Sequence, residues 1–174
     1  MKKLIALILV IAMAASLVAC GNKAADKAPL EGTMEENALK VMEIAPVEFM
    51  GGIIPVDLTD ASEDGKWAVN YFTGLSDASK ITDVAVYESM MGSQAFSLVM
   101  VRTAEGADPK AVAEEMKSGI DPRKWICVGA DEIMAAGYGD TVMFIMLDSQ
   151  LGLKAQSYVD AFAQVTGSEL DFTI

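Results

Sequence analysis

Two neighbouring stretches of the chain have the hydrophobic pattern of paired β-strands. Residues 83–89 alternate around Val84 and Val86, and residues 95–103 follow after the turn-like segment 91–94 (MGSQ). Both faces of residues 95–103 are largely apolar, which is typical of a strand that is covered on both sides. The pattern therefore predicts a hairpin whose second strand is central in a sheet.

A second hairpin is predicted further along the chain. Residues 132–137 favour a strand, and residues 138–140 (YGD) have the composition of a turn. Residues 142–147 (VMFIML) form an unbroken apolar run, which indicates a buried strand.

Helical spacing of apolar residues and capping signals together predict the helices. Thr33 and Glu36 have the spacing of a capping box, and Asp108 before Pro109 is a typical helix start. Gly74 and Gly167 stand where helices would end. The predicted helices cover residues 34–45, 66–73, 109–118 and 151–166.

The order of these elements predicts an α+β fold in a single domain. We expect a four-stranded, mainly antiparallel sheet made of two hairpins, with helices packed on one face. An N-terminal helix would precede the sheet.

The N-terminus has the pattern of an export signal. Lys2 and Lys3 precede an apolar stretch of 13 residues, 4–16, which is too short to span a membrane. Residues 17–20 (LVAC) then resemble the lipobox of bacterial lipoproteins. That resemblance implies cleavage before Cys20 and attachment of a diacylglyceryl group to its thiol. The alternative is an ordinary secretory signal followed by a chance cysteine.

The lipobox resemblance implies a domain organisation and a location. Residues 1–19 would be a lipoprotein signal peptide, residues 20–32 a flexible lipid-anchored tether, and residues 33–174 one globular domain. The protein would lie on the extracytoplasmic side of the cell membrane, held by lipid on Cys20.

Charge and composition exclude several classes of function. Without residues 1–19 the chain has 155 residues, of which 11 are basic and 25 acidic, for a net charge of −14. A face basic enough for nucleic acid is therefore not expected. The sequence has no His, which excludes Ser–His–Asp and Cys–His catalysis and His-ligated zinc.

Once Cys20 is assigned to the lipid, Cys127 is the one thiol left, so no internal disulfide is predicted. We expect Cys127 to be buried and structural; a reactive thiol beside Arg123 or Lys124 is the alternative.

A second resemblance covers most of the globular part, about residues 57–167. It resembles an uncharacterised lipoprotein domain of clostridial-type Gram-positive bacteria. The residues that carry it are segments 71–80 (YFTGLSDASK), 92–98 (GSQAFSL), 120–128 (IDPRKWICV), 138–140 (YGD) and 160–162 (DAF). The family has no assigned function, so the resemblance implies a location and no catalytic residues.

One segment resembles part of a calcium-binding loop. In residues 60–65 (DASEDG), Asp60, Ser62 and Asp64 take alternate positions and a glycine follows. Tyr71 stands where an EF-hand loop has its bidentate acid. The segment is therefore a weak calcium candidate, and the favoured interpretation is an acidic turn that caps a short helix. No cofactor is predicted.

Arg123, Lys124 and Trp125 form the candidate ligand or partner surface. They follow a predicted helix end and would present a flat aromatic ring with cations at one edge of the sheet. In the alternative, Trp125 fills the core under the last helix and both charges point outward.

Two classes of function remain open. The first is a monomeric, non-catalytic module that binds an extracytoplasmic protein or a small molecule. The second is a cell-envelope hydrolase that uses paired carboxylates, which needs no His. Asp83 and Glu88 are the acids near the start of the sheet that could support it.

Overall fold

The structure, a computed structural model, describes residues 27–174, so the predicted signal peptide and the predicted lipid attachment at Cys20 lie outside the described residues. Residues 27–174 form four α-helices and six β-strands. In chain order these are α1 (Met34–Ile44), β1 (Gly51–Ile54), α2 (Glu63–Thr73), β2 (Ile81–Ser89), β3 (Phe96–Thr103), α3 (Pro109–Gly119), β4 (Glu132–Tyr138), β5 (Thr141–Leu147), α4 (Ala155–Thr166) and β6 (Phe172–Thr173).

The strands form one antiparallel sheet in the order β1-β2-β3-β5-β4-β6. The α+β class and the two predicted hairpins, β2–β3 and β4–β5, are confirmed. The prediction of four strands is wrong, because β1 and β6 extend the sheet at its two edges. These strands have four and two residues, which is too short for an alternating pattern to be visible.

Helices cover both faces of the sheet, and the prediction that they pack on one face is wrong. On the first face α1 and α4 bury Phe96, Leu98 and Met143 of the central strands. On the second face α2 and α3 bury Val99 and Phe144. Strands β3 and β5 are apolar on both sides, so each side needs a cover that excludes water.

The helix ends follow the chemistry of their capping residues. The capping box of Thr33 and Glu36 is formed, and Asp108 accepts a hydrogen bond from the Lys110 N–H at the start of α3. Helix α2 begins at Glu63, earlier than predicted, because Ser62 caps it. Both Gly74 and Gly167 adopt the left-handed conformation at helix ends.

The last turns of α2 and α3 meet through two glycines without side chains. A Cβ atom placed on Gly119 would lie 2.0 Å from the carbonyl oxygen of Gly74. A Cβ atom on Gly74 would in turn lie 2.4 Å from the Met116 carbonyl oxygen, and φ there is +77°. The two helix ends therefore touch backbone to backbone.

Residues 27–32 lie against the domain, at the end of the sheet where β3 finishes, which we call the Arg102 end. The Arg102 Nη2 group donates to the carbonyl oxygens of Leu30 and Gly32, at 2.7 and 2.9 Å. Lys27 forms an ion pair with Asp171 at 2.8 Å. Residues 27–32, which belong to the predicted tether, are therefore in contact with the globular part.

Candidate functional site

The loop between α3 and β4, residues 121–131, holds the three residues of the predicted ligand surface. Arg123 is exposed, and Trp125 is half-buried against the core of the second face, with α2 and α3 rather than under the last helix. The Lys124 side chain is only 1% exposed. The alternative in which both charges point outward is therefore wrong for Lys124.

The buried Lys124 amine has one carboxylate and three aromatic rings around it. Its Nζ atom lies 2.5 Å from Oε1 of Glu88, on β2, whose side chain is 10% exposed. The ring centroids of Tyr71, Phe72 and Trp125 lie 4.9, 5.2 and 5.3 Å from Nζ. The cation thus has both a charge partner and the π-faces that compensate for lost water.

Burial changes the acid–base properties of this cluster. It lowers the pKa of the Lys124 amine, although the Glu88 carboxylate and, more weakly, Asp121 act in the opposite direction. Burial also raises the pKa of the Tyr71 hydroxyl, and the negative charges of Glu88 and Asp121 add to the effect. The amine and the phenol are therefore coupled to the same carboxylate.

Two buried polar atoms on the second face have no hydrogen bond within the described residues. They are Oε1 of Glu88, which contacts Lys124 as an ion pair without hydrogen-bond geometry, and Oγ of Ser97. Glu88 and Ser97 are direct partners across β2 and β3 and share the second face. The charge of Lys124 is therefore the main compensation for the buried carboxylate.

This cluster holds a loop in place and is closed to substrate. Lys124 is buried, and it lines none of four surface clefts found on residues 27–174. An amine that attacks a carbonyl must be reached by its substrate. In this conformation, the geometry therefore makes Lys124 a clamp between the loop, α2 and β2.

The clamped loop contributes to a group of exposed apolar side chains that we call the methionine patch: Met50, Met90, Met91 and Ile126. Their residues are 73%, 62%, 51% and 75% exposed. The Met90 N–H donates to the Met50 carbonyl at 2.9 Å, and the Ile126 N–H donates to the Gly92 carbonyl at 2.9 Å. These backbone contacts therefore place the four residues near one another at the β2–β3 turn. Large exposed apolar patches are a common feature of interaction sites in proteins.

Cys127 is exposed, so the prediction of a buried cysteine is wrong. The residue follows Ile126 in the loop and has φ of +65°, the one non-glycine residue in the described part with positive φ. A left-handed residue turns the chain sharply here, and its side chain points to solvent. The apolar neighbours Ile126 and Val128 gave no sign of this turn.

We expect the Cys127 thiol of the folded protein to react with an aromatic disulfide reagent about as fast as the same thiol in urea. The reason is its exposure, since no burial slows the approach of the reagent. Absorbance of the released thiolate measures the rate, and Cys127→Ser in the same chain gives the background. A native rate at least a hundredfold below the rate in urea would contradict the exposed position.

Two of the three residues of the calcium candidate, Asp60 and Ser62, accept hydrogen bonds from the backbone. Asp60 accepts from the Ser62 N–H at 2.9 Å, and the Ser62 hydroxyl accepts from the Gly65 N–H at 3.2 Å. Asp64 is exposed. These are the contacts of an acidic turn that caps α2, the favoured interpretation. Among residues 27–174 no group of three or more Cys, Asp or Glu side chains is arranged to hold a metal ion.

The two acids considered for a hydrolase lie apart on β2. Glu88 is on the second face with Lys124, whereas Asp83 accepts from the Met34 N–H at the start of α1, on the first face. They are five positions apart along the strand, roughly 17 Å. They are not a carboxylate pair, which glycoside hydrolysis places about 5–9.5 Å apart.

A cleft of about 530 Å³ lies at the Arg102 end, away from the predicted residues. Four charges in its wall pair with each other: Arg102 with Asp140, and Lys27 with Asp171, each at 2.8 Å. These pairs hold residues 27–32 on the domain, so we assign the cleft a structural role.

No helix of residues 27–174 is both long and apolar enough to cross a membrane. No family model matches the chain, and neither a curated protein nor a solved structure matches it significantly.

Proposed function

We propose that this protein is a non-catalytic binding module, anchored to the outer face of the cell membrane by lipid on Cys20. It would bind an extracytoplasmic partner through the methionine patch. The lipobox-like residues 17–20 support the anchor.

The observation that carries the binding site is the exposure of four large apolar side chains at one end of the domain. Exposing them to water costs free energy that burial against a partner recovers, at about 25 cal/mol for each Å². Three of them are methionines, whose unbranched side chains adapt to the shape of a partner.

The Lys124 clamp supports the same site. It fixes the loop that carries Ile126, because the buried Lys124 and the half-buried Trp125 hold the two residues immediately before Ile126 on the domain. A surface that is ordered before binding loses less entropy when a partner arrives.

The position of the N-terminal segment supports an outward orientation of the patch. Residues 27–32 are held at the Arg102 end, whereas the patch lies beyond the other end of β3, roughly 27 Å away along eight residues. If lipid is attached to Cys20, the seven residues from 20 to 26 span at most about 25 Å. The patch would then face away from the membrane.

Photo-crosslinking in the producing cells tests the binding site, with the crosslinker attached at the exposed Cys127. We expect Ile126→Glu to reduce recovery of crosslinked partner at least tenfold, because it places a charge in the apolar contact. Leu39→Glu is the matched control, since Leu39 is an exposed apolar residue on α1. Equal recovery with Ile126→Glu and with the unsubstituted protein would refute the proposed site.

The anchor has a separate test. We expect Cys20→Ala to abolish incorporation of an alkyne-tagged fatty acid and to release the protein from the membrane fraction, because the thioether needs the thiol. Cys127→Ser is the matched control and should label normally. Undiminished labelling of Cys20→Ala would show that lipid is not attached there.

A further inference from the structure

We propose that the partner binds as an extended peptide segment that adds a strand to the open edge of β1, beside the methionine patch. This proposal rests on the proposed function and specifies the form of its partner. The segment would carry alternating apolar residues with Lys or Arg at its ends.

Strand β1 is the edge of the sheet, and its pairing shows which backbone groups face outward. The Met90 N–H donates to the Met50 carbonyl, and the register continues with Gly52 opposite Glu88 and Ile54 opposite Val86. Hydrogen-bonded and non-bonded pairs alternate along antiparallel strands. Gly51 and Ile53 therefore direct their N–H and C=O groups away from β2.

Those outward groups are ready to pair with another chain. Within residues 27–174, no hydrogen bond outside the β1–β2 ladder uses the N–H or C=O of Gly51 or Ile53. Strand β1 hydrogen-bonds to β2 alone and is half-exposed along its length. An added strand would satisfy four backbone groups here, as in β-augmentation.

The side chains around the edge favour apolar residues in the partner. Gly52 has no side chain, and a Cβ atom there would lie 3.9 Å from the Met90 sulfur. The second face of the edge thus has a shallow notch over Gly52, bordered by Met90. Every second side chain of an added strand points to this face, so alternating apolar residues would fill the notch.

The negative charge of the protein disfavours a second copy of this chain as the partner. It favours a partner segment with basic residues at its ends. Exposed acids flank β1, with Glu48 before it and Asp57 after it. Residues 27–174 contain 10 basic and 24 acidic residues, a net charge of −14, so two copies repel each other. A segment with Lys or Arg at its ends would meet the two acids with opposite charge.

A matched pair of variants isolates the backbone contact. Ile53→Pro and Ile53→Ala both remove the Ile53 side chain, but only Ile53→Pro also removes the outward N–H. Proline is tolerated where the N–H faces away from the neighbouring strand. The probe is a displayed library of random ten-residue peptides, selected on the mature protein.

We expect selected peptides to alternate apolar residues between basic ends. One synthetic selected peptide should bind Ile53→Ala within threefold of the unsubstituted protein, and Ile53→Pro at least tenfold more weakly. Two versions of the peptide carry N-methyl groups on alternate amides. The version that blocks the amides facing β1 should lose binding, and the version that blocks the amides facing away should change affinity less than threefold. Amide exchange at Gly51 and Ile53 should slow at least tenfold when the peptide is bound.

Three results would overturn the strand proposal. The first is an absence of peptides that prefer the unsubstituted protein over Ile53→Pro. The second is peptides that bind Ile53→Pro equally but lose binding with Ile126→Glu; this result would leave the proposed function intact. The third is a dimer of the protein that Ile53→Pro dissociates, which would assign the edge to a second copy.

Discussion

Replacing Lys124 with alanine is expected to lower the free energy of unfolding by about 3–5 kcal/mol. The substitution leaves the Glu88 carboxylate buried without its cation, and Oε1 has no other partner within residues 27–174. It also opens a space between the rings of Tyr71, Phe72 and Trp125. Urea unfolding followed by tryptophan fluorescence measures the change, because Trp125 is part of the cluster.

Two further variants show whether the buried charge is the cause. Lys117→Ala removes an exposed lysine on α3 and should change stability by less than about 0.5 kcal/mol. Combining Lys124→Met with Glu88→Leu removes both charges and should recover most of the loss, since apolar replacements of buried ion pairs are often neutral. If the double variant is as unstable as Lys124→Ala, the unpaired buried charge is not the cause of the lost stability.

Replacing Gly119 with alanine is expected to cost about 3 kcal/mol of stability, although alanine normally favours a helix. The added methyl group would lie 2.0 Å from the Gly74 carbonyl oxygen, and backbone cannot move aside as a flexible side chain can. Helices α2 and α3 would have to separate, which opens the core of the second face. Thermal unfolding by circular dichroism measures the effect.

Ser118→Ala is the matched control for this prediction, because Ser118 is the preceding residue on α3 and is exposed. It should change stability by less than about 0.5 kcal/mol. If Gly119→Ala is as stable as Ser118→Ala, the two helix ends do not meet at the distance described here.

The hairpins and helix ends could be predicted because their signals are local. The apolar run of β5 and the Asp108–Pro109 start of α3 are readable over a few residues. The two apolar sides of β3 implied that both faces of the sheet are shielded from water. The order of elements along the chain nevertheless favoured a single layer of helices. Only packing between distant segments decides that α2 and α3 lie on the opposite face from α1 and α4.

The candidate site could be predicted only in part. The Arg-Lys-Trp run directed attention to the loop that also carries Ile126, but a lysine in a loop normally points to water. Lys124 points inward because Tyr71 and Phe72, more than fifty residues earlier, supply rings, and Glu88 supplies a charge. The methionine patch had no sequence signal, because Met50, Met91 and Ile126 come together only in the folded chain.

The sheet order has a consequence for how the chain folds. Hairpins β2–β3 and β4–β5 each join strands that are adjacent in the chain, so each can form early and locally. The β3–β5 ladder that unites them pairs residues from 39 apart, Arg102 with Thr141, to 51 apart, Phe96 with Leu147. Until that long loop closes, the two most apolar strands each lack a neighbour. The slow step should therefore be the meeting of two preformed hairpins, and the interval before it is when the chain is most prone to aggregate.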